Sequence, residues 1–293
     1  MARTAKPTSS HFDYNVVMED LYTAEGKKSG FKCTRRLDTG AVLSPVTKDY
    51  GIVQNADVID VAEEAFDKAG LTNYEREVFI CRGGSTMRAR YNFPNRTIKL
   101  PKVGDELGLR LDVNNSFDRT TRVSFGLGMV RLVCTNGMTA MNREFSMNRK
   151  HSNQINLDFI SKALSKALTG FDNLGNADNI YTKMASKDVT QDEGLTILQN
   201  LVGSKVISEV TREGIAQIWN DPSHDEDEAR TIYNLLNAST EFLTHRVGND
   251  RFEMTNRVTE NVTRHLMKAT QDKKVMKNLL VPVEAETIVE VTE

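Results

Sequence analysis

The stretch LGLRLDVNNSFDRTTRVSFGLGMVRLVCTNGM, residues 107–138, contains two alternating apolar runs separated by a short polar loop. Every second residue from Leu107 to Val113 is apolar, and the same holds from Val123 to Met129. This period of two is typical of a strand with one buried face. The loop between the runs is rich in Asn, Ser and Asp, whose side chains bond to the backbone in turns. The stretch therefore predicts a β-hairpin with one face in the core and the other in water.

Two glycines lie on the opposite face of the second run. Gly126 and Gly128 leave a strip without side chains between the apolar residues. Such a strip either lets a long strand bend or lets a ligand approach the backbone closely. Both interpretations remain open from the sequence, and the second is the first indication of function.

Charge is distributed unevenly along the 293 residues. The net charge is −2, but residues 1–151 contain 23 Lys and Arg against 18 Asp and Glu, whereas the remainder contains 15 against 22. Between Ile80 and Arg131 ten basic residues accompany four acidic ones. A basic stretch on strands suits the phosphate backbone of a nucleic acid. The alternative is a solvated basic face without a partner.

The candidate nucleic-acid-binding residues follow from the predicted strands. Residues 74–81 and 85–93 predict a second hairpin, joined through Arg82-Gly83-Gly84. Its alternation places two arginines on the wet face of the central sheet, where a third arrives from residues 107–114. Further basic side chains lie at the sheet margins and on an earlier hairpin. The predicted set is Lys32, Arg36, Arg82, Arg88, Arg90, Arg110 and Arg131.

The chain divides by pattern into four parts. Residues 1–29 predict an N-terminal arm, and residues 30–170 an α+β core built on a curved antiparallel β-sheet with covering helices. Residues 171–280 predict a helical C-terminal region, and residues 281–293 an acidic tail that competes with DNA or docks a replication or single-strand-binding protein.

Individual elements are also predicted. In the core we expect a hairpin over residues 30–46, a short strand over 50–53 and a helix from Asn55 or Asp57 to Ala69, ended by Gly70. Five helices follow, roughly over residues 153–170, 188–201, 206–219, 225–244 and 252–270. The acidic run His224 to Glu228 is expected to cap a helix rather than bind metal.

Two separate motifs resemble one known family. They are Arg36-Leu37-Asp38-Thr39-Gly40 with Gln54-Asn55, and the hairpin loop followed by R-L-V-C-T-N-G-M at residues 131–138. Both resemble the phage and plasmid family catalogued as domain of unknown function 932, over roughly residues 30–145. In that family the N-S loop continues with His, Asp and Gly, whereas here Phe117 and Arg119 take the outer two places.

Several function classes have no signal in the sequence. The motifs H-E-x-x-H and G-x-S-x-G and a P-loop are missing, which favours a protein that is not an enzyme and has no catalytic residue, metal or cofactor. The three cysteines are widely separated, so we expect buried, inert thiols. No apolar run is long enough to span a bilayer, and residues 1–12 lack an apolar signal core, which favours the cytoplasm of the host cell.

The predicted strand order is similar to the core of the single-strand annealing proteins, the group that includes RecT, Red beta, Erf and the eukaryotic Rad annealing protein. This similarity and the basic stretch predict a phage or plasmid protein that binds single-stranded DNA and anneals it during recombination, as a homo-oligomeric ring or filament. The alternative is an anti-defence or regulatory protein that acts through protein–protein contacts.

Overall fold

The computed structural model describes residues 11–100, 105–131, 137–138, 146–152, 156–173, 179–247 and 252–282. The chain forms two compact units. The first comprises Met1–Ile98, Leu107–Val130 and Ala140–Asn173, and the second Lys99–Glu106, Arg131–Thr139 and Leu174–Glu293. Within the described ranges, no helix combines the length and the apolar character that crossing a membrane requires.

A three-stranded antiparallel sheet begins the first unit. It contains β1 (Val16–Tyr22), β2 (Lys28–Arg36) and β3 (Val42–Val46), in that order across the sheet. The predicted hairpin over residues 30–46 is present as β2 and β3. The predicted arm over residues 1–29 is wrong for Val16–Tyr22, because this segment pairs with β2 along its length. Its run Val-Val-Met-Glu-Asp does not alternate, which is why its sequence did not indicate a strand.

The second sheet has six antiparallel strands. They are β4 (Glu75–Cys81), β5 (Thr86–Lys99), β6 (Glu106–Ser116), β7 (Val123–Arg131), β8 (Gly137–Met138) and β9 (Ser146–Arg149). The order is β4-β5-β6-β7-β8, and β9 also pairs with β7. The predicted hairpins are confirmed, and Gly83 and Gly84 make the first tight turn with φ angles of 65° and 102°. Strand β5 continues through Pro94 to Lys99, beyond the predicted end at residue 93, and residues 50–53 form no strand.

Helix α1 (Asn55–Lys68) covers one face of this sheet. Its Phe66 ring lies edge-on to the rings of Tyr91 and Phe93 on β5, 4.8 and 5.4 Å away. The apolar residues from Leu107 to Val113 and from Val123 to Met129 are buried, as their alternation predicted. Gln54 instead of Asn55 or Asp57 occupies the N-cap position, where its side chain bonds to the backbone of Val16 and makes no capping hydrogen bond, and Gly70 follows the helix end with φ of 71°. Asn55 is buried inside the unit, where Asn115 donates to it.

Helices dominate the rest of the chain. Helix α2 (Phe159–Asn173) belongs to the first unit. The second unit contains α3 (Ile180–Ala185), α4 (Gln191–Gly203), α5 (Glu209–Asn220), α6 (Ile232–Glu241), α7 (Phe252–Gln271) and α8 (Lys273–Leu279). A 3-10 turn at Asp225–Asp227 precedes α6, and a π-helical segment, Phe242–Arg246, follows it. The α+β class with a helical C-terminal region is confirmed, whereas α3 and α8 were not predicted.

Trp219 on α5 is the centre of contact between two helices of the second unit. Its indole N–H donates to the carbonyl of Gln191 at 3.1 Å, and Gly194 on α4 lies against the ring. A Cβ at position 194 would lie 2.5 Å from the indole, so glycine is required for this packing. The predicted acidic tail lies outside the described residues, apart from Val281 and Pro282.

Candidate nucleic-acid interface

The face of the central sheet opposite α1 is buried, not wet. Arg88 on β5 and Arg110 on β6 have side chains that are 2% and 4% exposed, and Arg90 is 21% exposed. The alternation placed these three arginines on one face correctly. The prediction that this face lies in water is wrong, because a period of two identifies which residues share a face but not what covers it. These arginines do not form an open surface along which a nucleic acid can lie.

The three arginines surround one carboxylate, and together with it they form what we call the arginine cluster: Arg88, Arg90, Arg110 and Asp112. Arg88 donates to Asp112 Oδ2 at 2.8 Å. Arg110 Nη2 lies 3.6 Å from the same oxygen, and Arg90 Nε lies 4.0 Å from Oδ1. Asp112 is therefore close to three guanidinium groups, while one of them makes a short hydrogen bond to it.

Gly128 on β7 makes room for the cluster. A Cβ at this position would lie 2.8 Å from Nε of Arg110 and 3.2 Å from Oδ2 of Asp112. The sequence predicted a strip without side chains at the glycines of this strand. At Gly128 the Arg110 side chain of the neighbouring strand fills that strip. This contact explains Gly128 without a strand bend.

The electrostatics of the arginine cluster are unbalanced. Burial alone would raise the pKa of Asp112, but Arg110, Arg88 and Arg90 together hold it at about 2. Burial, followed by repulsion from Arg88 and Arg110, lowers the pKa of Arg90. Burial also lowers the pKa of Arg110, more than Asp112 raises it. A guanidinium stays protonated in proteins, so these shifts express an unfavourable environment for positive charge.

Arg131 is completely buried in the second unit. It grips Asp105 with two hydrogen bonds, from Nε at 2.8 Å and from Nη2 at 2.9 Å, and it donates to Asp227 from Nη1 at 2.5 Å. Asn234 and Asn237 on α6 donate to the other oxygen of Asp227. Arg131 is thus a structural residue. The acidic run predicted as a helix cap supplies a buried ion-pair partner in Asp227.

Lys32 and Arg36 lie on β2, in the first sheet. Arg36 is 14% exposed, pairs with Asp38 and stacks over the ring of Tyr14, 3.7 Å from its centroid. Lys32 is half-buried and opposite Asp20 in the sheet register. Both cations therefore have local acidic neighbours, and neither is a freely exposed phosphate contact.

Five exposed cations come together from two turns and the end of β9 in the first unit. We call this surface the basic rim. Arg82, in the β4–β5 turn, lies 3.7 Å from Asp118 of the β6–β7 turn. The β6–β7 turn also joins β9, because Arg122 donates to Asn148 Oδ1 at 2.9 Å. The rim consists of Arg82, Arg119, Arg122, Arg149 and Lys150, all exposed. Of the seven predicted site residues, Arg82 alone belongs to it.

Two arginines of the basic rim have strained backbones. Arg82 and Arg119 have φ angles of 51° and 65°, and Lys205 is the third non-glycine residue with positive φ among those described. This left-handed conformation is uncommon for residues with large side chains, whereas glycine adopts it easily. The chain thus places an exposed arginine at the tip of each turn despite a conformational cost.

An aromatic pair, buried Tyr50 and half-buried His151, lies next to the basic rim. The ring of His151, directly after Lys150, stacks on that of Tyr50 with 5.0 Å between centroids. Nδ1 of His151 lies 3.2 Å from the carbonyl oxygen of Gly51, and the Tyr50 hydroxyl donates to the carbonyl of Ser116. Burial lowers the pKa of His151. Neutral His151 therefore links the end of β9 to the β6–β7 turn.

These features define the protein as α+β, with two open antiparallel sheets, a covering helix and a helical C-terminal unit. The chain belongs to the family described as Domain of unknown function (DUF932), whose model matches residues 42–280. The resemblance seen in the sequence is confirmed, although the match begins after Arg36–Gly40 and extends far into the helices. No curated protein and no solved structure matches the chain.

Sequence reasoning missed four of the five rim residues. Arg119 and Arg122 stand in the predicted hairpin loop, and Arg149 and Lys150 in a polar, basic stretch of the sequence, so each was visible as a cation among polar residues. Their proximity depends on the pairing of β9 with β7, for example Val123 with Arg149. A four-residue strand gives no periodic signal from which that pairing can be predicted.

Proposed function

We propose that this protein binds single-stranded DNA through the basic rim and promotes annealing of complementary strands during phage or plasmid recombination. The observation that carries the proposal is the convergence of five exposed cations from two turns and the end of β9 in one unit. Arginine and lysine on turn tips can follow the phosphates of an extended strand. The strain at Arg82 and Arg119 supports a role for these side chains in contact with a ligand.

The proposed mechanism consists of charge neutralisation and positioning, and side chains carry out no chemistry. The cations of the basic rim bind phosphates, so the base edges of the bound strand remain open to pair with a complementary strand. The aromatic rings beneath the rim, Tyr50 and His151, are engaged with each other. The strand is therefore held by its backbone rather than by stacking of its bases, and binding is tolerant of sequence. Such a role places the protein in the cytoplasm of the host cell.

We also propose that the protein works as a homo-oligomer. One basic rim contacts few nucleotides, so several subunits are needed to hold a strand in register. The three-stranded sheet supports self-association, because β1 and β3 each have one neighbour among the described strands and are edges. Large apolar side chains are exposed on both edges, Tyr22 on β1 and Val42 on β3. Phe31 on β2 and Leu37 directly after it are also exposed. A head-to-tail contact through such edges would generate a ring or a filament.

Salt-dependent binding of oligo-dT tests the proposal. Arg122→Ala with Lys150→Ala should weaken binding, and the slope of log affinity against log salt should become shallower by about 0.7 for each lost contact. Lys183→Ala with Lys268→Ala is the matched control, since it removes two exposed lysines from helices of the second unit. Annealing of complementary labelled oligonucleotides should fall with the rim variant only.

The same oligo-dT measurements can also contradict the proposal. If the rim variant is folded and retains both the affinity and the salt slope of the parent protein, the basic rim is not a nucleic-acid site. A protein that is indifferent to oligo-dT at low salt would favour the alternative function, a regulatory or anti-defence protein that contacts other proteins.

A further inference from the structure

The side chain of Arg36 lies against the β4–β5 turn, although Arg36 itself belongs to β2. Its Nη1 is 3.5 Å from the carbonyl oxygen of Gly83. A Cβ at Gly84 would lie 2.5 Å from Nη1 and 2.9 Å from Cδ of Arg36, so the turn packs directly against this side chain. Arg82, the first residue of the turn, belongs to the basic rim. Arg36 therefore connects β2 to a cation of the rim.

Two neighbours fix the Arg36 side chain. Asp38 accepts hydrogen bonds from Nε at 2.9 Å and from Nη2 at 2.5 Å. The carboxylate is itself oriented by the turn that follows β2, because its Oδ1 also accepts from the backbone N–H of Thr39 at 2.9 Å. The guanidinium stacks over the ring of Tyr14, 3.7 Å from the centroid. A planar fork that is bonded through two nitrogens and stacked on a ring has little freedom to move.

Tyr14 also contacts the β4–β5 turn directly. Its hydroxyl donates to the carbonyl of Gly84 at 2.6 Å and accepts from the side-chain amide of Asn55 at 3.3 Å. Asn55 is buried at the start of helix α1, so the hydroxyl has a fixed position. Arg36 thus contacts the carbonyl of Gly83, and Tyr14 bonds to that of the next residue.

The β4–β5 turn needs such support because Arg82 has a positive φ of 51°. A strained conformation of a residue with a large side chain persists only where the surrounding structure fixes it. The carbonyl of Ser85, directly after the turn, accepts from the N–H of Phe117 at 2.7 Å, which joins this turn to the β6–β7 turn. Without the contacts of Arg36 the turn would relax, and the position of the Arg82 guanidinium would no longer be fixed.

Arg36 is poorly placed to bind phosphate itself. Its side chain is 14% exposed, and two of its nitrogens are bonded to Asp38. The side chain of Arg82 is 52% exposed. Of these two arginines, Arg82 is therefore the one that a nucleic acid can reach.

We infer that Arg36 is a positioning residue, which fixes the β4–β5 turn so that Arg82 meets a phosphate of the bound strand. The inference rests on the proposed function of the basic rim. It gives a physical role to residues 36–40, which stood out in the sequence. Asp38 orients Arg36, and Arg36 holds a turn of the second sheet.

A substitution that preserves charge tests the inference. Arg36→Lys keeps the positive charge beside Asp38 but lacks the planar fork that bonds this carboxylate and reaches Gly83 at once. Binding of oligo-dT should weaken, and the slope of log affinity against log salt should become shallower by about 0.7, the value of one lost contact. Arg35→Lys is the matched control, because Arg35 precedes Arg36 on β2 and pairs with Glu19. It should leave the affinity and the slope unchanged.

A double-mutant cycle with Arg82 separates positioning from direct contact. Arg82→Gln alone should make the salt slope shallower by about 0.7. If Arg36 acts through Arg82, the double variant Arg36→Lys with Arg82→Gln should show the same change of about 0.7. A change of about 1.4, the sum of two independent contacts, would overturn the inference.

Hydrogen exchange tests the turn in the absence of DNA. The N–H of Ser85 closes the turn by donating to the carbonyl of Arg82 at 3.2 Å. In Arg36→Lys this amide should exchange about tenfold faster than in the parent protein, whereas Arg35→Lys should leave its exchange unchanged. Tyr14→Phe is a second variant, which keeps the ring beside the guanidinium but removes the bond to the turn. It should change the exchange and the salt slope in the same direction.

The inference is overturned if Arg36→Lys and Tyr14→Phe, both folded by circular dichroism, keep the salt slope and the Ser85 exchange of the parent protein. A parent protein that does not bind oligo-dT contradicts the proposed function, and the exchange of Ser85 then decides by itself whether Arg36 fixes the turn. Faster exchange together with a non-additive loss of binding supports the inference.

Discussion

Arg131 and Arg110 are both buried, yet their surroundings differ completely. Arg131 has two carboxylates, Asp105 and Asp227, and its hydrogen bonds to them measure 2.5 to 2.9 Å. Arg110 shares the single carboxylate of Asp112 with two other arginines and has a buried N–H without a partner among the described residues. A buried arginine that is fully paired serves the fold. A buried arginine whose donors are only partly used is costly to the fold.

The same substitution at the two sites gives the largest expected contrast. Arg131→Met leaves Asp105 and Asp227 buried without a cation, so the free energy of unfolding should fall by about 3–5 kcal/mol. Arg110→Met removes one of three crowded positive charges and should change stability by about 1 kcal/mol or less in chloride buffer. Urea unfolding of both variants measures the difference. Equal losses at the two positions would show that the arginine cluster is as well balanced as the pairing of Arg131.

Acid should weaken the arginine cluster through Asp112. The pKa of this carboxyl, about 2 in the folded protein, lies below the 3.8 of an unperturbed aspartate side chain. A lowered folded-state pKa gives stability that is present above pH 3.8 and is lost as the pH falls towards 2. Asp112→Asn should lack this contribution already at pH 7, on the order of 2 kcal/mol. The difference in free energy of unfolding between the parent protein and Asp112→Asn should therefore become smaller from pH 7 to pH 3. A difference that stays constant would contradict the lowered pKa of Asp112.

A methyl group at Gly128 tests how tightly the cluster is packed. The new Cβ of Gly128→Ala would meet Arg110 at 2.8 Å, so the free energy of unfolding should fall by about 1–2 kcal/mol. Gly203→Ala is the matched control, because nothing lies within 4 Å of a Cβ there and alanine favours the helix that Gly203 ends. If Gly128→Ala is as stable as the parent, Arg110 has room to move away.

Arg119 and Lys205 are exposed cations with strained backbones, one in each unit. Arg119→Gly should raise the free energy of unfolding by up to about 1 kcal/mol, because glycine accepts the positive φ, while binding of oligo-dT weakens. Lys205→Gly relieves similar strain in the second unit and should leave DNA binding unchanged. If Arg119→Gly is more stable than the parent protein and binds DNA with unchanged affinity, the Arg119 side chain does not contribute to DNA binding.

The smallest effect concerns His151. Its pKa is lowered by burial, so the folded protein prefers the neutral ring while the unfolded chain takes up a proton near pH 6.5. Stability should therefore fall slightly as the pH drops from about 7 to 5.5. His151→Phe keeps the stacking on Tyr50 and should remove this dependence, whereas substitution of the exposed His11 should not. Melting temperatures across this pH range provide the test.

Most of the first unit's sheet core was predictable, because alternation is a local property of the chain. The runs Leu107–Val113 and Val123–Met129 identified the buried face directly. What covers the opposite face is not encoded in alternation, and for that reason Arg88 and Arg110 were placed in water. The partner of Arg131 is still less visible, since Asp227 lies 96 residues further along the chain. An acidic run at a helix start indicates capping, and nothing in its sequence indicates that one of its carboxylates pairs with an arginine far along the chain.

Trp219 also makes the second unit optically distinct. It is the chain's single tryptophan, and it is buried against Gly194 with Arg230 over its ring at 4.8 Å. Indole emission therefore reports the loosening of helices α4 and α5 without any engineered label. Tyr14, Tyr50, Tyr74 and Tyr91 belong to the other unit, so tyrosine absorbance is weighted towards the sheets. Recording both signals during one melt would show whether the two units unfold together or one after the other.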